Sequence, residues 1–329
     1  MEKIDFVVTW VDNSDEKWRM KKNKFKKDDK FPDMNDINRY RDFGLFKYWF
    51  RAVEKYAPWV NKIYIITEGH LPLWLDISSD KIVHIKHEDY LPQKYLPTFS
   101  SRPIELNLHR IENLSENFVL FNDDMFLNTD TVPTDFFKND FARDFSVYSP
   151  IIPDGDITTI AFNNVKIINK NFDKKKNMRR NWRKFCALRY RQNLLRTVLT
   201  LPYKKIAGYY NPHTVSCLKK SIIKEVWDRE FDVMDATSTN KFREVTDVNQ
   251  WLFRYWQIER GLTIPQNFSF SSYFSISEYK EIMKIMEKEK SKIICINDTE
   301  EWSSEIDNQV KEIMRSFDKK FPNKSVYEL

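Results

Sequence analysis

The sequence predicts an α/β protein in which helices flank a mixed, largely parallel sheet, with a basic helical insertion. Short apolar runs rich in β-branched and aromatic residues are typical of buried strands, and segments of helical periodicity separate them. Such alternation favours a parallel sheet. The chain has 329 residues, of which 41% are hydrophobic and 15% aromatic, so it can bury a sizeable core.

The N-terminal part of the chain carries most of the predicted sheet. Strands are predicted at residues 4–10, 62–67, 81–86 and 118–121. A helix is predicted at 45–56, since its apolar residues share one face and Pro58 ends it. A second helix is predicted at 101–114, with Ser101 and Pro103 at its start. Residues 21–36 are highly charged and predict a surface excursion.

The C-terminal part is predicted to be mainly helical. Residues 147–167 are expected to be mostly β, and 174–201 to form one or two basic helices. A short strand is predicted at 292–296. Further helices are predicted at 218–231, 247–260, 277–290 and 303–317, the third of these capped by Ser277.

Composition excludes several classes of protein. There are only five glycines and neither a dinucleotide-binding nor a P-loop glycine motif, so a nucleotide would have to be held by side chains, helix ends and metal. Three scattered cysteines form no disulfide framework, which favours a reducing cytosol. No signal peptide and no apolar stretch of membrane-spanning length is seen, so we expect a cytoplasmic protein.

The most informative segment is FVLFNDDMF, residues 118–126. A buried strand runs into Asn122, Asp123 and Asp124, where carboxylates are costly unless a cation meets them. Ligands of open α/β sheets bind outside the carboxyl ends of strands. Two hard oxygen donors there suit Mg²⁺ or Mn²⁺ shared with a phosphate-bearing substrate. Alternatively, the two aspartates simply cap a turn.

Four blocks of the sequence carry a common pattern. They are 4–15 (starting IDFVVTWVD), 39–128 (from RYRDFG at Arg39 to FNDDMF), 211–261 (starting NPH) and 292–328 (from KIICIND to FPNKSVYE). Together they resemble the Stealth family of sugar-phosphate transferases, which make phosphodiester-linked surface polysaccharides in bacteria and tag lysosomal glycoproteins in animals. The resemblance covers most of the chain as a single catalytic domain, 1–329, with a variable, basic helical insertion at 130–210. Arg102-Pro103 departs from the expected pattern but keeps its frame.

The resemblance implies a GT-A-like or Rossmann-type mixed sheet and a specific reaction. A hexose- or N-acetylhexosamine-1-phosphate would pass from a UDP-sugar to a sugar hydroxyl of a growing surface polysaccharide, with Mg²⁺ or Mn²⁺ as cofactor and UMP as the leaving group. The acceptor glycan would be lipid-linked or soluble, and no nucleic acid is expected. The alternatives are a metal-dependent glycosyltransferase that releases UDP, and a non-catalytic carbohydrate-binding adaptor.

The resemblance also implies roles for individual residues. Asp123 and Asp124 would hold the metal. The catalytic group would comprise His213 as general base, Asp124, Arg243 as the stabiliser of phosphoryl charge, and Glu105. The residues expected to bind the nucleotide sugar are Thr9, Trp10, Asp12, Asn122 and Arg110.

Simpler interpretations stand beside several of these roles. Trp10 is equally suited to the core, and Asp12 to a turn. Glu105 and His109 are four residues apart, so on one helix they would share a face and could equally form an internal pair. Asp247 is expected to hold Arg243 or a metal, or else to cap a helix.

The basic tract between residues 174 and 205 carries a separate hypothesis. No acidic residue occurs from Lys174 to Lys224, while aromatic and aliphatic residues interleave with its lysines and arginines. A basic amphipathic helix is typical of membrane surfaces, so peripheral contact with the inner face of the cell membrane is one interpretation. A solvated helix that packs its apolar side on the core is the other.

Overall fold

The computed structural model describes residues 2–36, 40–152, 155–298 and 303–329. Arg39, the predicted start of the second block, lies outside them. The strands in the described part of the chain are β1 (Ile4–Thr9), β2 (Ile63–Thr67), β3 (Ile82–Lys86), β4 (Asn117–Asn122), β5 (Met125–Leu127), β6 (Phe137–Lys138), β7 (Phe141–Asp144), β8 (Ser216–Lys219), β9 (Thr263–Pro265), β10 (Ser271–Ser275) and β11 (Ile293–Asn297).

The helices in the same described ranges fall mainly between and after the strands of the main sheet. They are α1 (Glu16–Lys24), α2 (Phe46–Tyr56), α3 (His87–Tyr90), α4 (Ser101–Leu106), α5 (Gly155–Asn171), α6 (Lys174–Arg180), α7 (Trp182–Phe185), α8 (Leu194–Thr200), α9 (Lys220–Arg229), α10 (Phe231–Thr239), α11 (Trp251–Arg260), α12 (Tyr279–Lys288) and α13 (Ser304–Lys320).

The main sheet has the strand order β3-β2-β1-β4-β8. The first four strands are parallel, and β8 runs antiparallel to β4 at the edge. The predicted α/β class with a mixed, largely parallel sheet is therefore confirmed. In the register, Thr9 lies opposite Asn122 and beside Ile66, so the carboxyl ends of the three central strands meet at one edge.

Two apolar layers cover the two faces of this sheet. Phe6 and Val8 belong to one buried cluster together with residues of α2 and α13, whereas Val7 belongs to the other together with residues of α9 and α11. The alternation follows from the period of two along a strand. Burial on both faces explains why β1 reads as a continuous apolar run in the sequence.

A smaller sheet fixes the position of the C-terminal strand. β11 pairs with β10 in parallel and with β5 antiparallel, which places Cys295 opposite Met125. The Ile296 N–H also donates to the Asp124 carbonyl at 2.9 Å. The predicted strand at 292–296 is confirmed, and it closes over the turn that carries Asp123 and Asp124.

The predicted helix at 101–114 is wrong beyond its first turns. α4 ends at Leu106, and a short 3₁₀ turn follows at Leu108–Arg110. The Asn107 side-chain amide donates to the Pro103 carbonyl at 2.8 Å, which is the acceptor that the Asn107 backbone N–H would use in a continuing helix. Side-chain competition of this kind favours helix ends.

The expectation of β structure at 147–167 is also wrong, because α5 occupies most of that range. Its buried residues recur at helical spacing and include Ile160, Ala161, Asn164, Val165 and Ile168. The basic tract is helical as predicted but is divided into α6, α7, a 3₁₀ segment at Leu188–Asn193, and α8.

Several predicted boundaries and roles in the C-terminal half change. The segment predicted as a helix from residue 218 begins as β8, and α9 follows at Lys220. Ser277 lies inside a 3₁₀ turn before α12, so it does not cap that helix. Within the described ranges, no helix has both the length and the apolarity that crossing a bilayer requires.

Candidate active site

A cavity of about 650 Å³ lies at the carboxyl ends of the central strands. Thr9, Ile66 and Asn122, from the ends of β1, β2 and β4, contribute to its wall. The sequence predicted a site at this edge of the sheet, and the cavity occupies it. The predicted site residues that line the cavity are Thr9, Trp10, Glu105, Asn122, Asp123, Asp124 and Arg243.

Acidic side chains concentrate at the end of β4. Asp124 Oδ2 accepts a weak hydrogen bond from the Cys295 thiol at 3.4 Å, whereas its Oδ1 is buried without a hydrogen-bond partner among the described residues. Asp123 lies beside it, and Asp42 lines the same cavity. A buried carboxylate oxygen with no protein partner is costly, and a bound cation would relieve that cost.

Burial is the largest cause of the raised pKa values in this acidic group. Burial, and then the neighbouring charges of Asp124 and Asp42, raise the pKa of Asp123 well above its ordinary value. Burial also raises the pKa of Asp124 to about 6. For Asp42, burial is again the largest cause of a raised pKa. An added positive charge would reverse these shifts.

These residues fit a divalent cation shared with a substrate. Among the described residues, no group of three or more His, Cys, Asp or Glu side chains is arranged to hold a metal ion alone. Mg²⁺, however, is usually bound through one or two carboxylates together with substrate phosphates and water. Asp123 and Asp124, with the unpartnered Oδ1 atom of Asp124, supply the protein's part of such a set.

Glu105 and Arg243 line the same cavity. Glu105 is only 7% exposed, on α4, and burial raises its pKa to about 7, although Ser101, Arg243 and Arg102 partly offset the shift. The backbone of Arg243 exchanges hydrogen bonds with the Asn35 side chain, at 3.0 Å for the N–H donor and 3.3 Å for the carbonyl acceptor.

Residues 21–36 are therefore more than the surface excursion that their charge predicted. Asp36 lines the cavity, and Asn35 holds the backbone of Arg243. Trp18, from the preceding helix α1, is buried against Tyr40 and Phe99. The charged segment thus supports one wall of the site.

A buried ion pair joins the elements that carry Glu105 and Arg243. Arg102 on α4 donates to Asp247 Oδ2 at 2.5 Å, and to the Glu244 carbonyl at 2.9 Å. Asp247 also accepts from the Asn240 side chain and from the Glu244 N–H. Because α11 begins at Trp251, the expectation that Asp247 caps this helix is wrong.

Trp10 and Asp12 fit their simpler interpretations in part. Trp10 is 6% exposed and its ring stacks on Phe46 at 5.8 Å between centroids, so it belongs to the core while also lining the cavity. Asp12 is not among the residues that line the cavity. Its carboxylate accepts from the Ser14 N–H at 2.7 Å and from the Ser14 hydroxyl at 2.6 Å, which closes a turn after β1.

The structure separates His109 and Arg110 from the other predicted residues. Both line a different hollow with Trp227, over whose ring the Arg110 guanidinium lies at 4.9 Å. The expectation that Glu105 and His109 share a helix face is wrong, because α4 ends between them. Arg110 is not brought to the cavity that holds Asp124.

His213 lies next to the cavity but does not line it. The residue is exposed, and its ring packs on Tyr273 at 4.3 Å between centroids. Asn297, which does line the cavity, donates to the Tyr273 hydroxyl at 2.9 Å. Desolvation of its ring lowers the pKa of His213, which favours the neutral imidazole near pH 7.

Sequence reasoning missed several residues of this site. Asp42, in the motif RYRDFG, and Asp298, at the end of KIICIND, both line the cavity, and Arg41 pairs with Asp298 at 3.1 Å. Both motifs belong to the blocks that resemble the family, but no role is predicted for Asp42 or Asp298. No local pattern predicted Cys295 or Tyr273 as site residues. They come to the site only through the pairing of β11 with β5 and β10.

Taken together, a cavity at the carboxyl ends of parallel strands, with paired carboxylates and an arginine, defines an α/β enzyme site. Residues 2–30 match Stealth protein conserved region 1, and residues 39–145 match conserved region 2. The chain is 48% identical over 332 residues to the capsular polysaccharide phosphotransferase WcwK of Streptococcus pneumoniae, with 100% of this chain and 98% of that protein covered.

Two further relatives are also phosphotransferases by name. The exopolysaccharide phosphotransferase cps2G of Lactiplantibacillus plantarum is 40% identical, over 99% of this chain and 96% of that protein. The receptor polysaccharide phosphotransferase WefC of Streptococcus oralis is 39% identical, over 100% of both chains. The chain belongs to the Stealth family and is an enzyme of the phosphotransferase class.

The solved structures to which the chain is similar are distant from it in sequence. One is the galactosyltransferase LgtC in complex with donor and acceptor sugar analogs, at 9% identity, with 95% of each chain covered and a TM-score of 0.40. Another is the apo-form glycosyltransferase GlyE of Streptococcus pneumoniae, at 9% identity, with 98% of this chain and 66% of that chain covered and a TM-score of 0.38.

Proposed function

We propose that this enzyme transfers a hexose- or N-acetylhexosamine-1-phosphate from a UDP-sugar to a sugar hydroxyl of a growing surface polysaccharide. The product is a phosphodiester, and UMP is released. The observation that carries the proposal is the pair of adjacent carboxylates at the end of β4, Asp123 and Asp124, in a cavity that Arg243 also lines. The relatives described above, which are named as polysaccharide phosphotransferases, support the same chemistry.

The reaction requires one bond to form and one to break at phosphorus. The acceptor hydroxyl oxygen bonds to the sugar-linked phosphorus, the bond from that phosphorus to the bridging oxygen breaks, and UMP leaves with the bridging oxygen. The sugar keeps its own C1–O bond, so its anomeric configuration is retained. The protein must neutralise phosphate charge, align the two oxygens and accept one proton.

Asp123 and Asp124 would hold Mg²⁺ or Mn²⁺. The bound ion would neutralise the negative charge of the diphosphate and of the leaving phosphate. Arg243, which lines the same cavity, would donate to the phosphoryl oxygens, as guanidinium groups do. Glu105, whose pKa is raised to about 7, would hold a proton for part of the population and would bind a hydroxyl of the donor sugar.

His213 would accept the proton of the acceptor hydroxyl at a ring nitrogen. Its lowered pKa supports this role, because a general base must be neutral before it can take a proton. Its exposed position supports a role toward the acceptor rather than toward the nucleotide. Tyr273 would hold the ring in place by stacking.

Thr9, Trp10 and Asn122 would bind the nucleotide sugar along the edge of the main sheet. All three line the cavity, and Thr9 lies directly opposite Asn122 in the sheet register. Asp12 would act next to them by holding the turn after β1, through its bonds to Ser14. Arg110 has no part in this proposal, because it lies in the other hollow.

The decisive experiment identifies the nucleotide that is released. Purified enzyme is supplied with UDP-sugars, Mg²⁺ and a glycan acceptor, and the products are separated by anion-exchange chromatography and examined by ³¹P NMR. UMP together with a new phosphodiester signal is the expected result. Release of UDP would make the protein a conventional glycosyltransferase and would remove the roles given to His213 and Arg243.

A further inference from the structure

Part of the basic tract forms a surface that the reaction does not use. The chain has no Asp or Glu between Lys174 and Lys224. Most lysines and arginines in the first part of this stretch are exposed, which leaves a strongly cationic surface without internal neutralisation. The exposed cations are Lys175, Lys176, Arg179, Arg180, Arg183, Arg189, Arg191, Arg196, Lys204 and Lys205.

The helix α8 turns its apolar side outward. Leu195, Val198 and Leu199 are spaced as one helix face and are 63%, 51% and 72% exposed. Thr197 and Thr200, on the other side, are buried. In a helix that only packs on its own core, the apolar residues would face inward, so this arrangement is the reverse of the ordinary one.

Further large apolar side chains of the tract are exposed. Trp182 is 56% exposed, and Leu188 is 87% exposed. The amino group of Lys174 at the start of α6 donates to the carbonyls of Thr200 and Tyr203, so the start of α6 contacts the end of α8. The exposed cations of α6 and the exposed apolar side chains of α8 therefore lie on neighbouring elements.

The hypothesis that these apolar residues pack on the core holds for only part of the tract. Phe185 and Tyr190 are fully buried, as that interpretation requires. Leu195, Val198 and Leu199 are not buried, and contiguous exposed apolar groups on a soluble surface indicate an interaction site. Packing on the core therefore accounts for Phe185 and Tyr190 but not for Trp182, Leu188 or the outer face of α8.

We infer that this surface, formed by α6, Trp182, Leu188 and the outer face of α8, docks on a lipid bilayer that carries anionic headgroups. The cations supply attraction to the headgroups, and the aliphatic side chains of α8 enter the boundary between headgroups and acyl chains. Tryptophan, represented here by Trp182, is enriched at that depth. A soluble polyanion would satisfy the cations but would leave the apolar face of α8 in water.

The test is sedimentation of the purified full-length enzyme with vesicles. Vesicles of phosphatidylglycerol and phosphatidylcholine are compared with vesicles of phosphatidylcholine alone. We expect binding to the anionic vesicles only, weakened at high salt. Triple substitution R179E, R180E and R183E should lower the partition coefficient by at least roughly 100-fold, since each cation near an anionic surface contributes about a factor of 5.

Two further variants distinguish docking through this surface from a general effect of net charge. One is a charge-matched control, and the other removes apolar side chains. K24E, K26E and K27E reverse three exposed cations of the N-terminal segment and should leave binding nearly unchanged. L195S together with L199S should reduce binding at least 10-fold without lowering the melting temperature, because both side chains are exposed in the folded protein.

Three results would overturn the inference. They are unchanged vesicle binding by the R179E, R180E and R183E variant, equal losses in that variant and in the K24E, K26E and K27E control, or binding to heparin in solution with none to the vesicles. None of these readouts depends on turnover, so the inference and the proposed reaction can fail separately.

Discussion

Asp124 combines a raised pKa with an oxygen that has no hydrogen-bond partner among the described residues. Both are explained if the residue is built to meet a cation. Asp124→Asn should therefore lower kcat/KM by at least about 100-fold and abolish Mn²⁺ binding. Turnover with UDP-sugar and Mn²⁺ titration monitored by electron paramagnetic resonance would measure the two effects.

Asp76→Asn is the matched control for that substitution. Asp76 closes a turn by accepting from the Ser78 N–H at 2.8 Å and does not line the cavity. It should retain normal turnover and Mn²⁺ binding. Near-normal activity of Asp124→Asn would show that the metal role is misassigned.

His213→Ala should lower kcat by about 100-fold or more and leave donor affinity nearly unchanged, since the imidazole lies outside the cavity that would hold the nucleotide. In the native enzyme, activity should fall as pH drops through the lowered pKa of His213, because the protonated ring cannot accept a proton. Stopped assays over a pH series and calorimetric UDP titration would measure both effects. A raised KM with unchanged kcat would contradict the assignment.

Glu105 makes a prediction about stability in the absence of ligand. Its pKa is about 7 when folded and close to 4.5 when unfolded, so between those pH values the folded state binds a proton that the unfolded state lacks. Stability should therefore fall as pH rises from 4.5 to 7. Glu105→Gln should remove that slope and be more stable at pH 8, by about 1–3 kcal/mol.

Urea unfolding at a series of pH values would test this prediction, with the exposed Glu287→Gln as control. The control should keep the native pH dependence. An identical slope in Glu105→Gln would mean that the buried carboxyl does not titrate as described. Glu105→Gln should also lose turnover. Glu105 would then be a residue that lowers stability but is needed for activity.

At the scale of elements, the Arg102–Asp247 pair links α4 to the segment that carries Arg243. Arg102 and Asp247 are almost wholly buried, with side chains 9% and 1% exposed. Arg102→Met would leave an uncompensated buried carboxylate, so we expect a loss of about 3–5 kcal/mol in unfolding free energy and a lower kcat. Chemical denaturation and initial-rate kinetics would measure the two losses.

The exposed pair Lys224–Asp228 provides the comparison. Its atoms are only 2.7 Å apart, but its side chains are 67% and 62% exposed. Lys224→Met should cost less than about 1 kcal/mol, because exposed pairs are screened by water. Equal costs for the two variants would mean that Arg102 does not support the wall of the site.

Some elements were predictable from the sequence, for identifiable reasons. β1, β2 and β4 are buried on both faces, so each is a continuous apolar run in the sequence. In α2 the buried apolar residues recur at helical spacing, with charged residues between them. The break after Leu106 was not predictable from periodicity, because it depends on the Asn107 side chain taking the Pro103 carbonyl and also meeting Ser238 Oγ at 3.0 Å.

At the scale of the whole molecule, ligand binding should raise stability by mass action. At a UDP-sugar concentration 100 times Kd, with Mg²⁺ present, the gain is about 2.7 kcal/mol, which corresponds to a rise of several degrees in Tm. Asp124→Asn should show no such rise. Differential scanning fluorimetry with UDP-sugar, with and without Mg²⁺, would measure it, and a metal-independent shift in both proteins would argue against a shared metal–diphosphate site.

Only some residues of the cavity could be predicted from the sequence. Asp123 and Asp124 were recognised because the chemistry is local, with two carboxylates directly after a buried strand. Asp42 and Cys295 reach the same place from positions far apart in the chain, through the order of the main sheet and the pairing of β11 with β5. Such convergence is a property of topology, which no local motif records.

The exposed placement of His213 has a consequence for the size of the acceptor. The acidic carboxylates lie within the cavity, whereas His213 and Tyr273 stand outside it, with Tyr273 44% exposed. If His213 is the base, as proposed, the attacking hydroxyl would be presented from the solvent side of the cavity. We then expect short and long acceptor chains to present the same reacting end to the site.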